Sequence, residues 1–305
     1  METINIIFSS DNNYAQFMGV AICSIFENKK EGYAIDIYVL DGGIKKYNKN
    51  KLKILEDRYN FKINYIKIDT NLFKDFHLTS HFTQATYYRI MAPKLLPYLK
   101  KILYLDCDIT ILGDIYELYN INIDDYFFAA VEEYVTDRQE ELGMPINTKY
   151  FNAGVMLINL EKWRDFNITK KVIDYITDNS EKLRYVDQDA LNATMWREWL
   201  NINFRYNYTT LTWEKYPLSF NDVGNKILII HYTGLKPWNY SSTNIFKNKY
   251  FFYLKKTKWR DKKYIDKNKV MIKKILKKIL VFILSKKTIN KIKTIKSRYL
   301  FGKIK

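Results

Sequence analysis

Cysteine is scarce in this sequence, which contains only Cys23 and Cys107 among its 305 residues. Two cysteines are too few for a disulfide framework, and these two lie too far apart in the sequence to form a metal-binding clip. The N-terminus also lacks the basic segment and the long apolar segment of a secretory signal peptide. Both absences favour a protein of a reducing compartment, and we expect it in the cytoplasm.

Long apolar runs are missing as well. The longest strongly apolar run, residues 279–284, is far shorter than the roughly 20 residues that a membrane-spanning helix needs. Neither the Gly-x-Gly-x-x-Gly loop of dinucleotide-binding proteins nor the Walker loop of nucleoside triphosphatases occurs. We therefore expect a protein that does not cross a bilayer and that uses neither of these two nucleotide-binding loops.

Acidic residues are outnumbered by basic ones, and the imbalance is concentrated at one end of the chain. The sequence has 50 Lys and Arg against 33 Asp and Glu, which gives a net charge of +17. Residues 262–305 hold 16 basic residues and one acidic residue, so residues 1–261 carry a charge of only +2. This distribution argues against a protein that wraps nucleic acid over its whole surface, and it favours a globular domain with an electrostatic attachment.

The basic tail combines its charge with a helical pattern. Its apolar residues repeat at helical spacing, and lysines occupy the opposite face. The apolar residues are Met271, Ile272, Ile275, Leu276, Ile279, Leu280 and Ile283, and the lysines are Lys273, Lys274, Lys277 and Lys278. Such a helix binds at the surface of an anionic membrane, so we expect attachment to the inner face of the cytoplasmic membrane. Non-specific binding to a polyanion is the alternative, and few aromatic residues are available for specific nucleic-acid recognition.

The hydrophobic pattern of the body predicts an α/β domain. Apolar segments of strand length alternate, early in the chain, with segments of helical period, which is typical of a mainly parallel sheet covered by helices. The predicted strands are residues 4–8, 35–40, 63–68, 102–105, 127–131, 154–160 and 227–230, and the predicted helices are residues 15–26 and 46–59. We expect a single domain over residues 1–261 and a separate helical tail over residues 262–305.

Two carboxylates follow the fourth predicted strand, at the end where parallel sheets bind their ligands. In "KKILYLDCDITIL", Asp106 and Asp108 are separated by one residue, so a strand would point both side chains to the same side. Paired carboxylates favour a hard cation, and a solvated turn or helix cap is the alternative. The second Asp-x-Asp triplet, at residues 187–189, shows that the bare pattern has little value without this context.

His231 ends the apolar strand in "KILIIHY" and is one of only three histidines. Gly234 then allows close approach of the backbone, and Lys236 provides a positive charge. A single histidine at a strand end is more often structural. Together with Asp106 and Asp108, however, it completes a ligand set that suits Mn²⁺, with Mg²⁺ as the alternative, bridging a diphosphate.

Six blocks of the sequence resemble glycosyltransferase family 8, the retaining transferases that include bacterial lipooligosaccharide and lipopolysaccharide galactosyl- and glucosyltransferases and glycogenin. The blocks are "IIFSSDNNYA", "TYYRIMAPKLLP", "KILYLDCDITILGDI", "YFNAGVMLINLEKWR", "VDQDALNA" and "HYTGLKPW". They follow the family's order and span roughly residues 4–238. The resemblance implies a GT-A-like fold and Mn²⁺-dependent transfer of a hexose from a UDP-sugar to a bacterial surface glycan, with galactose favoured and glucose next.

The resemblance also implies roles for individual residues. Asp106, Asp108 and His231 would hold the metal. The implied donor-binding residues are Ser9, Asp11, Asn13, Tyr14, Arg89, Asp106, Cys107, Asn152, Ala153, Asp187, Gln188, Gly234 and Lys236. The implied catalytic residues are Gln188 and Asp187. Because an amide is a poor nucleophile, we expect Gln188 to stabilise an oxocarbenium-like ion pair, with nucleophilic attack as the alternative, and we expect Asp187 to hold a sugar hydroxyl.

Several alternatives stay open at this point. The sequence does not distinguish a galactose from a glucose donor, or a glycolipid acceptor from a glycoprotein or capsule polysaccharide. We expect residues 133–149 and 206–223 to form the acceptor cleft. A function of another class, a non-catalytic module that binds polyanions through the basic tail, also fits the charge distribution. Mn²⁺-dependent binding of UDP, lost on the substitution Asp108→Asn, would distinguish the enzyme from the module.

Overall fold

The fold is centred on a seven-stranded sheet with the strand order β3-β2-β1-β4-β7-β6-β8. The structure, a computed structural model, describes residues 2–78, 83–135, 137–219, 222–223, 226–261 and 264–283. The strands of this sheet are β1 (Glu2–Ser10), β2 (Tyr33–Asp41), β3 (Ile63–Lys67), β4 (Lys101–Leu105), β6 (Phe128–Glu132), β7 (Phe151–Asn159) and β8 (Trp199–Asn201). A second sheet pairs β5 (Ile109–Ile111) with β9 (Ile229–His231).

Strand direction in the large sheet is mixed but mainly parallel. The strands β3, β2, β1 and β4 are parallel, β7 is antiparallel to its neighbours β4 and β6, and β8 is parallel to β6. The prediction of a mainly parallel, mixed sheet is therefore confirmed. The carboxyl ends of β1 and β4 and the beginning of β7 meet at one edge, which is the edge that carries the site described below.

Helices cover both faces of the sheet. They are α1 (Ala15–Asn28), α2 (Lys46–Tyr59), α3 (Ala92–Leu95), α4 (Tyr116–Tyr119), α5 (Arg138–Glu141), α6 (Leu160–Asp165), α7 (Ile168–Asp178), α8 (Val186–Met195), α9 (Thr210–Lys215), α10 (Lys247–Leu254) and α11 (Lys267–Ile283). Short 3-10 helices occur at Thr70–Phe73, Gln84–Met91, Ser180–Lys182 and Phe204–Tyr206.

Two hydrophobic cores result from the period of two along the strands. Ile6 and Phe8 of β1 face the core formed with α1, α2 and α10, while Ile7 faces the core formed with α6, α7 and α8. Because each central strand is buried on both faces, its sequence is a continuous apolar run, which is the pattern that the sequence analysis used to locate it. The predicted positions of β1, β2, β3, β4, β6 and β7 are confirmed within a few residues at each end.

Residues 106–108 depart from the predicted geometry. They form a bend between β4 and β5 instead of continuing one strand, because β5 leaves the large sheet to pair with β9. Strands β5 and β8 were not predicted. Each is only three residues long, and a run of that length carries no readable period.

The C-terminal helix α11 is basic and has an unburied apolar face. Its residues Met271, Ile272, Ile275, Leu276, Ile279 and Leu280 are between 40% and 60% exposed. The rest of the predicted tail, residues 262–263 and 284–305, lies outside the described residues. None of the described helices has the length and hydrophobicity that crossing a bilayer requires.

Candidate functional site

Asp106, Asp108 and His231 come together at the carboxyl edge of the large sheet. Asp106 follows β4, Asp108 precedes β5, and the pairing of Ile109 with His231 brings the imidazole beside both aspartates. One ligand atom from each residue lies within 4.8 Å of the others. The Nε2 atom of His231 is 3.4 Å from Oδ1 of Asp108 and 3.7 Å from Oδ2 of Asp106. Among the described residues, this is the one group with the ligands and spacing of a metal site.

The donor set fits a divalent cation. Metal–oxygen bonds of about 2.1 Å place neighbouring ligands about 3 Å apart, so the observed separations need to close only slightly around an ion. Two carboxylate oxygens favour Mg²⁺ or Mn²⁺, and the imidazole nitrogen shifts this preference toward Mn²⁺. The structure brings the three predicted ligands together, and their binding of a metal stays a prediction.

Gly154 provides the space in which the three ligands meet. A Cβ atom built at this position would lie 2.6 Å from Oδ2 of Asp106 and would overlap the ring of His231. The carbonyl oxygen of Gly154 also accepts the backbone N–H of Asp106 at 2.8 Å. The sequence analysis quoted Gly154 within a block but assigned it no role. A glycine inside an apolar strand is itself a sign of close approach by another group, so the signal was present.

Arg89 fixes one oxygen of Asp106. The guanidinium, which is 5% exposed, places Nη2 3.1 Å from Oδ1 of Asp106, and the hydroxyl of Tyr104 donates to the same oxygen at 2.7 Å. Nε of Arg89 is also 2.8 Å from Oδ2 of Asp187, and Nη1 donates to the carbonyl of Ala153. Because Oδ1 of Asp106 is held in this way, Oδ2 is the oxygen that faces His231.

Lys236 supplies a positive charge directly at the site. Its ammonium group forms an ion pair with Oδ2 of Asp108 and donates to the carbonyl of Tyr232 at 2.8 Å. Gly234, with a φ of 70°, makes the turn that returns the chain toward the aspartates. Burial alone would raise the pKa of Asp108, but Lys236 and His231 lower that pKa well below its usual range, so Asp108 is ionised.

Asp187 and Gln188 begin helix α8 on the other side of Arg89. Burial raises the pKa of Asp187 to about 6, although Arg89 and a hydrogen bond from Thr86 oppose the increase. The amide oxygen of Gln188 accepts the N–H of Ala153 at 3.0 Å, and its amide nitrogen donates to the hydroxyl of Tyr150 at 3.2 Å.

The backbone before Asp187 is strained. Val186 has a φ of 45°, an unfavourable value for a β-branched residue. A conformation of this kind persists only where the surroundings impose it. Here it sets the direction in which the side chains of Asp187 and Gln188 project from α8.

Asp189 has a structural role that differs from that of Asp187. Its carboxylate is fully buried and forms an ion pair with Arg138 at 2.6 Å. It also accepts the hydroxyl of Tyr150 at 2.7 Å and the backbone N–H of Tyr185 at 2.7 Å. The second Asp-x-Asp triplet therefore anchors α8 through Asp189 and does not form a second cation site.

The loop after β1 lies beside the two aspartates of the metal site. Oδ1 of Asp11 accepts the backbone N–H groups of Asn13 at 2.8 Å and Tyr14 at 2.9 Å, which begins the turn into α1. Burial raises the pKa of Tyr14, and the nearby charges of Asp108 and Asp106 add to the increase. The structure thus places the loop that carries Asp11, Asn13 and Tyr14, three of the predicted donor-binding residues, next to Asp106 and Asp108.

Ser9 and Cys107 lie at the same edge of the sheet. The thiol of Cys107 is buried and donates to the carbonyl of Ser9 at 3.2 Å. The hydroxyl of Ser9 is buried and has no hydrogen-bond partner among the described residues. An orphan hydroxyl at the end of β1 is available to a ligand that enters from this edge.

The predicted site residues are therefore concentrated at one edge of the sheet. They lie at the carboxyl ends of β1 and β4, in the 3-10 helix Gln84–Met91, at the beginnings of β7 and α8, and in the loop after β9. Residues that the sequence analysis did not identify also support the site. They are Tyr104, Gly154, Glu133 and Asn207. For Glu133 and Asn207 no local pattern gave a signal, because their role depends on contacts between distant segments.

Comparisons with known proteins agree with this geometry. The model of the family "Glycosyl transferase family 8" matches residues 5–242. General stress protein A of Bacillus subtilis (strain 168) is 35% identical over 272 residues, which are 85% of this chain and 95% of that protein. Lipopolysaccharide 1,2-glucosyltransferase of Escherichia coli (strain K12) is 29% identical over 297 residues, with 92% of this chain and 86% of that protein covered.

A solved structure shows the same fold. It is the crystal structure of the galactosyltransferase LgtC in complex with donor and acceptor sugar analogues. Its TM-score against this chain is 0.77 at 25% sequence identity, and the match covers 85% of this chain and 100% of the other. The prediction of a GT-A-like fold is thereby confirmed.

Proposed function

The chain belongs to glycosyl transferase family 8, and we propose that it is a retaining hexosyltransferase that depends on a UDP-sugar and a divalent cation. The observation that carries the proposal is the cluster of Asp106, Asp108 and His231 beside Lys236, because the departure of a diphosphate leaving group needs positive charge held at one point. Galactose is the favoured sugar and glucose the next, since the chain is similar both to a galactosyltransferase and to a glucosyltransferase.

The proposed acceptor is a bacterial lipopolysaccharide, lipooligosaccharide or other surface glycan. This assignment is supported by the similarity to lipopolysaccharide 1,2-glucosyltransferase and by the basic helix α11, which would bring the enzyme to a membrane that holds a lipid-linked acceptor. A glycoprotein or capsule polysaccharide acceptor is the alternative.

Asp106, Asp108 and His231 would hold the cation, for which we propose Mn²⁺, with Mg²⁺ as the alternative. When bound, the cation supplies Lewis-acid stabilisation of the leaving diphosphate. Lys236 adds a second positive charge at the same place and is assigned to electrostatic stabilisation of the leaving group. Arg89 keeps Asp106 in position through its contact with Oδ1.

Gln188 and Asp187 are assigned to the reacting sugar. The amide oxygen of Gln188 accepts one hydrogen bond, from Ala153, and keeps a second lone pair that can stabilise positive charge on the sugar ring. An amide is a poor nucleophile, so we propose attack from the same face through an oxocarbenium-like ion pair, in which the leaving phosphate oxygen takes the proton of the acceptor hydroxyl. Asp187, which is bound to Arg89 and Thr86, is assigned to a sugar hydroxyl.

The experiment that tests the proposed function is UDP release from a panel of UDP-sugars by the purified protein. Release from one donor in Mn²⁺, and its loss in EDTA, is the expected result and would name the sugar. Absence of release from every donor, together with absence of UDP binding in calorimetry, would contradict the proposal. Retention of the same protein on DNA would then favour the non-catalytic polyanion-binding module.

The assignment of Gln188 leads to a prediction that separates catalysis from binding. Gln188→Met keeps the length of the side chain and removes the amide, so kcat for UDP release should fall by about 100-fold, as for other single electrostatic contacts to a transition state. Calorimetry should show unchanged affinity for UDP in Mn²⁺, because the amide contacts Ala153 and Tyr150 and none of the metal ligands. A weaker UDP affinity with an unchanged kcat would contradict this role.

We further propose that α11 attaches the enzyme peripherally to the inner face of the cytoplasmic membrane. Its exposed apolar residues include Ile272, Leu276 and Leu280, which are 56% to 60% exposed, and its lysines would interact with anionic headgroups. Each basic residue near such a surface contributes about 1 kcal/mol. The amphipathic pattern supports binding in the plane of the interface.

The structure shows where a truncation should be made. Tyr264 packs against Tyr240 and Phe251, and Oδ1 of Asp266 accepts the N–H of Tyr240 at 2.5 Å. Removing every residue after Asp266 therefore deletes α11 and leaves these contacts in place.

Truncation after Asp266 should release the protein from phosphatidylglycerol vesicles in a sedimentation assay while UDP release from the soluble donor stays unchanged. A full-length variant with Lys273→Glu, Lys277→Glu and Lys278→Glu should bind the vesicles at least about 100-fold more weakly, because three favourable charge interactions are lost. Vesicles of neutral lipid serve as the control. Sedimentation of the truncated protein with anionic vesicles would contradict attachment through α11.

A further inference from the structure

A chain of buried hydrogen bonds connects His231 to Glu133. Nδ1 of His231 is 2.9 Å from Oδ1 of Asn207, and the amide nitrogen of Asn207 donates to Oδ1 of Asn152 at 2.8 Å. The amide nitrogen of Asn152 then donates to Oε2 of Glu133 at 2.6 Å. All four side chains are at most 5% exposed, so water does not compete for these contacts. We call this chain the Glu133 relay.

Backbone contacts hold both ends of the relay in place. The N–H of Glu133 donates to the carbonyl of Tyr150 at 2.8 Å, which keeps Glu133 beside the beginning of β7. At the other end, the N–H of His231 donates to the carbonyl of Tyr208 at 3.0 Å, so Asn207 lies directly alongside β9. The relay therefore joins four segments that are separated in the sequence.

Two groups determine the direction of the hydrogen bonds in the relay. They are the carboxylate of Glu133 and the backbone N–H of Gly154. The Glu133 carboxylate only accepts, so the NH₂ group of Asn152 must face it. The oxygen of Asn152 accepts the backbone N–H of Gly154 at 2.9 Å, which fixes the same orientation independently. The NH₂ group of Asn207 must then face Asn152.

The remaining oxygen of Asn207 consequently faces the imidazole and can only accept. Nδ1 of His231 must therefore carry a proton, because the oxygen of Asn207 can be paired only with a donor. Nε2 is the nitrogen that faces Asp108 and Asp106, at the distances given above, so it is the nitrogen left to bind a cation.

Thr209 provides the second hydrogen bond to the carboxylate of Glu133. Its hydroxyl donates to Oε1 of Glu133 at 2.8 Å, and the hydroxyl oxygen of Thr209 accepts the backbone N–H of Thr212 at 3.1 Å. Both carboxylate oxygens of Glu133 thus accept a hydrogen bond. Burial raises the pKa of Glu133, and the bonds from Thr209 and Asn152 oppose that increase by stabilising the ionised form.

We propose that Glu133 is a positioning residue that, through Asn152 and Asn207, keeps a proton on Nδ1 of His231 and so leaves Nε2 as the nitrogen that binds the cation. The purpose of the relay rests on the proposed metal site, but the hydrogen bond from Nδ1 to Asn207 is a property of the metal-free protein. Without the relay, Nδ1 loses its acceptor and the ring would keep its proton on Nε2, beside the two aspartates, where that proton competes with the cation. Loss of a partner that orients a metal-binding histidine typically weakens metal affinity by about 10- to 100-fold.

The experiment uses full-length, metal-free protein labelled with ¹⁵N at histidine. The chain has three histidines, so the His231 resonances are assigned by comparison with His231→Gln. The wild type should show a proton on Nδ1, whether or not Nε2 also carries one. Glu133→Gln is the matched control, because its amide oxygen can still accept from Asn152 while its NH₂ group donates to the hydroxyl of Thr209. Glu133→Leu removes the acceptor and should shift the population toward the Nε2–H tautomer.

Mn²⁺ affinity measured by calorimetry provides the second readout. Glu133→Leu should bind Mn²⁺ about 10- to 100-fold more weakly than the wild type, and Glu133→Gln should bind it with nearly wild-type affinity. If Glu133→Leu does not fold, Asn207→Leu breaks the relay at its other end and should change the tautomer in the same way.

Two outcomes would overturn the inference. One is a wild-type protein whose His231 has no proton on Nδ1, and the other is an Nδ1 that stays protonated in both leucine variants. If the tautomers change as expected but the wild type binds no Mn²⁺, the relay stands and the proposed metal-dependent function is the part that fails.

Discussion

Replacing Asp108 with asparagine should lower Mn²⁺-dependent UDP release by at least about 1,000-fold, because a metal site supplies several kcal/mol of transition-state stabilisation. Both oxygens of this carboxylate have defined neighbours. Oδ1 lies 3.4 Å from Nε2 of His231, and Oδ2 is paired with the ammonium group of Lys236. Asparagine removes the negative charge and places an NH₂ group against one of these two partners.

The charge balance makes this substitution more damaging than the loss of one ligand. Lys236 and His231 hold the pKa of Asp108 far below its usual range, so the carboxylate is charged at every pH at which the enzyme would work. Without that charge, Lys236 becomes an uncompensated cation at the position that a divalent ion must enter. Calorimetry should therefore show the loss of Mn²⁺ binding together with the loss of turnover.

Asp36→Asn is the control for this prediction. It makes the same chemical change on an exposed side chain of β2, and it should leave both UDP release and Mn²⁺ binding unchanged. Thermal unfolding of both variants in EDTA distinguishes a loss of ligand from a loss of fold. An Asp108→Asn protein that is folded and retains a tenth or more of the wild-type activity would show that these aspartates do not form the metal site.

The sequence could predict the parts of the site that depend on local pattern. Buried strands of five to nine residues are continuous apolar runs, so β1, β4 and β7 were readable, and Asp106 and Asp108 could be placed at the end of β4. His231 was readable for the same reason, because it ends an apolar run. The family resemblance then connected these positions to one chemistry.

The contacts between distant segments were not readable in the same way. The approach of His231 to Asp108 depends on the pairing of β5 with β9, two strands of three residues with 117 residues between Ile111 and Ile229. The Glu133 relay depends on four separate segments. Hydrogen bonds of this kind leave no periodic trace, because each needs only one polar residue at one position.

Gly154 could be noticed in the sequence as a glycine within an apolar strand, but its closeness to Asp106 and His231 could not. Its substitution by alanine should be the second most damaging single change. We expect Gly154→Ala to weaken Mn²⁺ binding and to lower UDP release by at least about 100-fold each, which is the upper range for disturbance of a ligand-orienting contact. The added Cβ would lie 2.6 Å from Oδ2 of Asp106 and would overlap the ring of His231. One or both ligands must then leave their positions.

The backbone cannot relieve this overlap by moving away. Strand β7 lies between β4 and β6 in the sheet, and the carbonyl of Gly154 is bonded to the N–H of Asp106. The N–H of Gly154 donates to Asn152, so a shift at this position would also disturb the Glu133 relay. Overpacking of this kind costs about 1–3 kcal/mol of stability in other proteins, so the fold should survive while the site does not.

Gly113→Ala is the matched control, because its Cβ would meet a methyl group of Leu228 at 3.0 Å, at the end of a side chain that can shift. That variant should bind Mn²⁺ and release UDP like the wild type, with a small decrease in melting temperature. If Gly154→Ala instead matches the Gly113→Ala variant in Mn²⁺ affinity, the ligands are not packed against β7 as the structure has them. The positions of Asp106 and His231, on which the proposed chemistry depends, would then have to be revised.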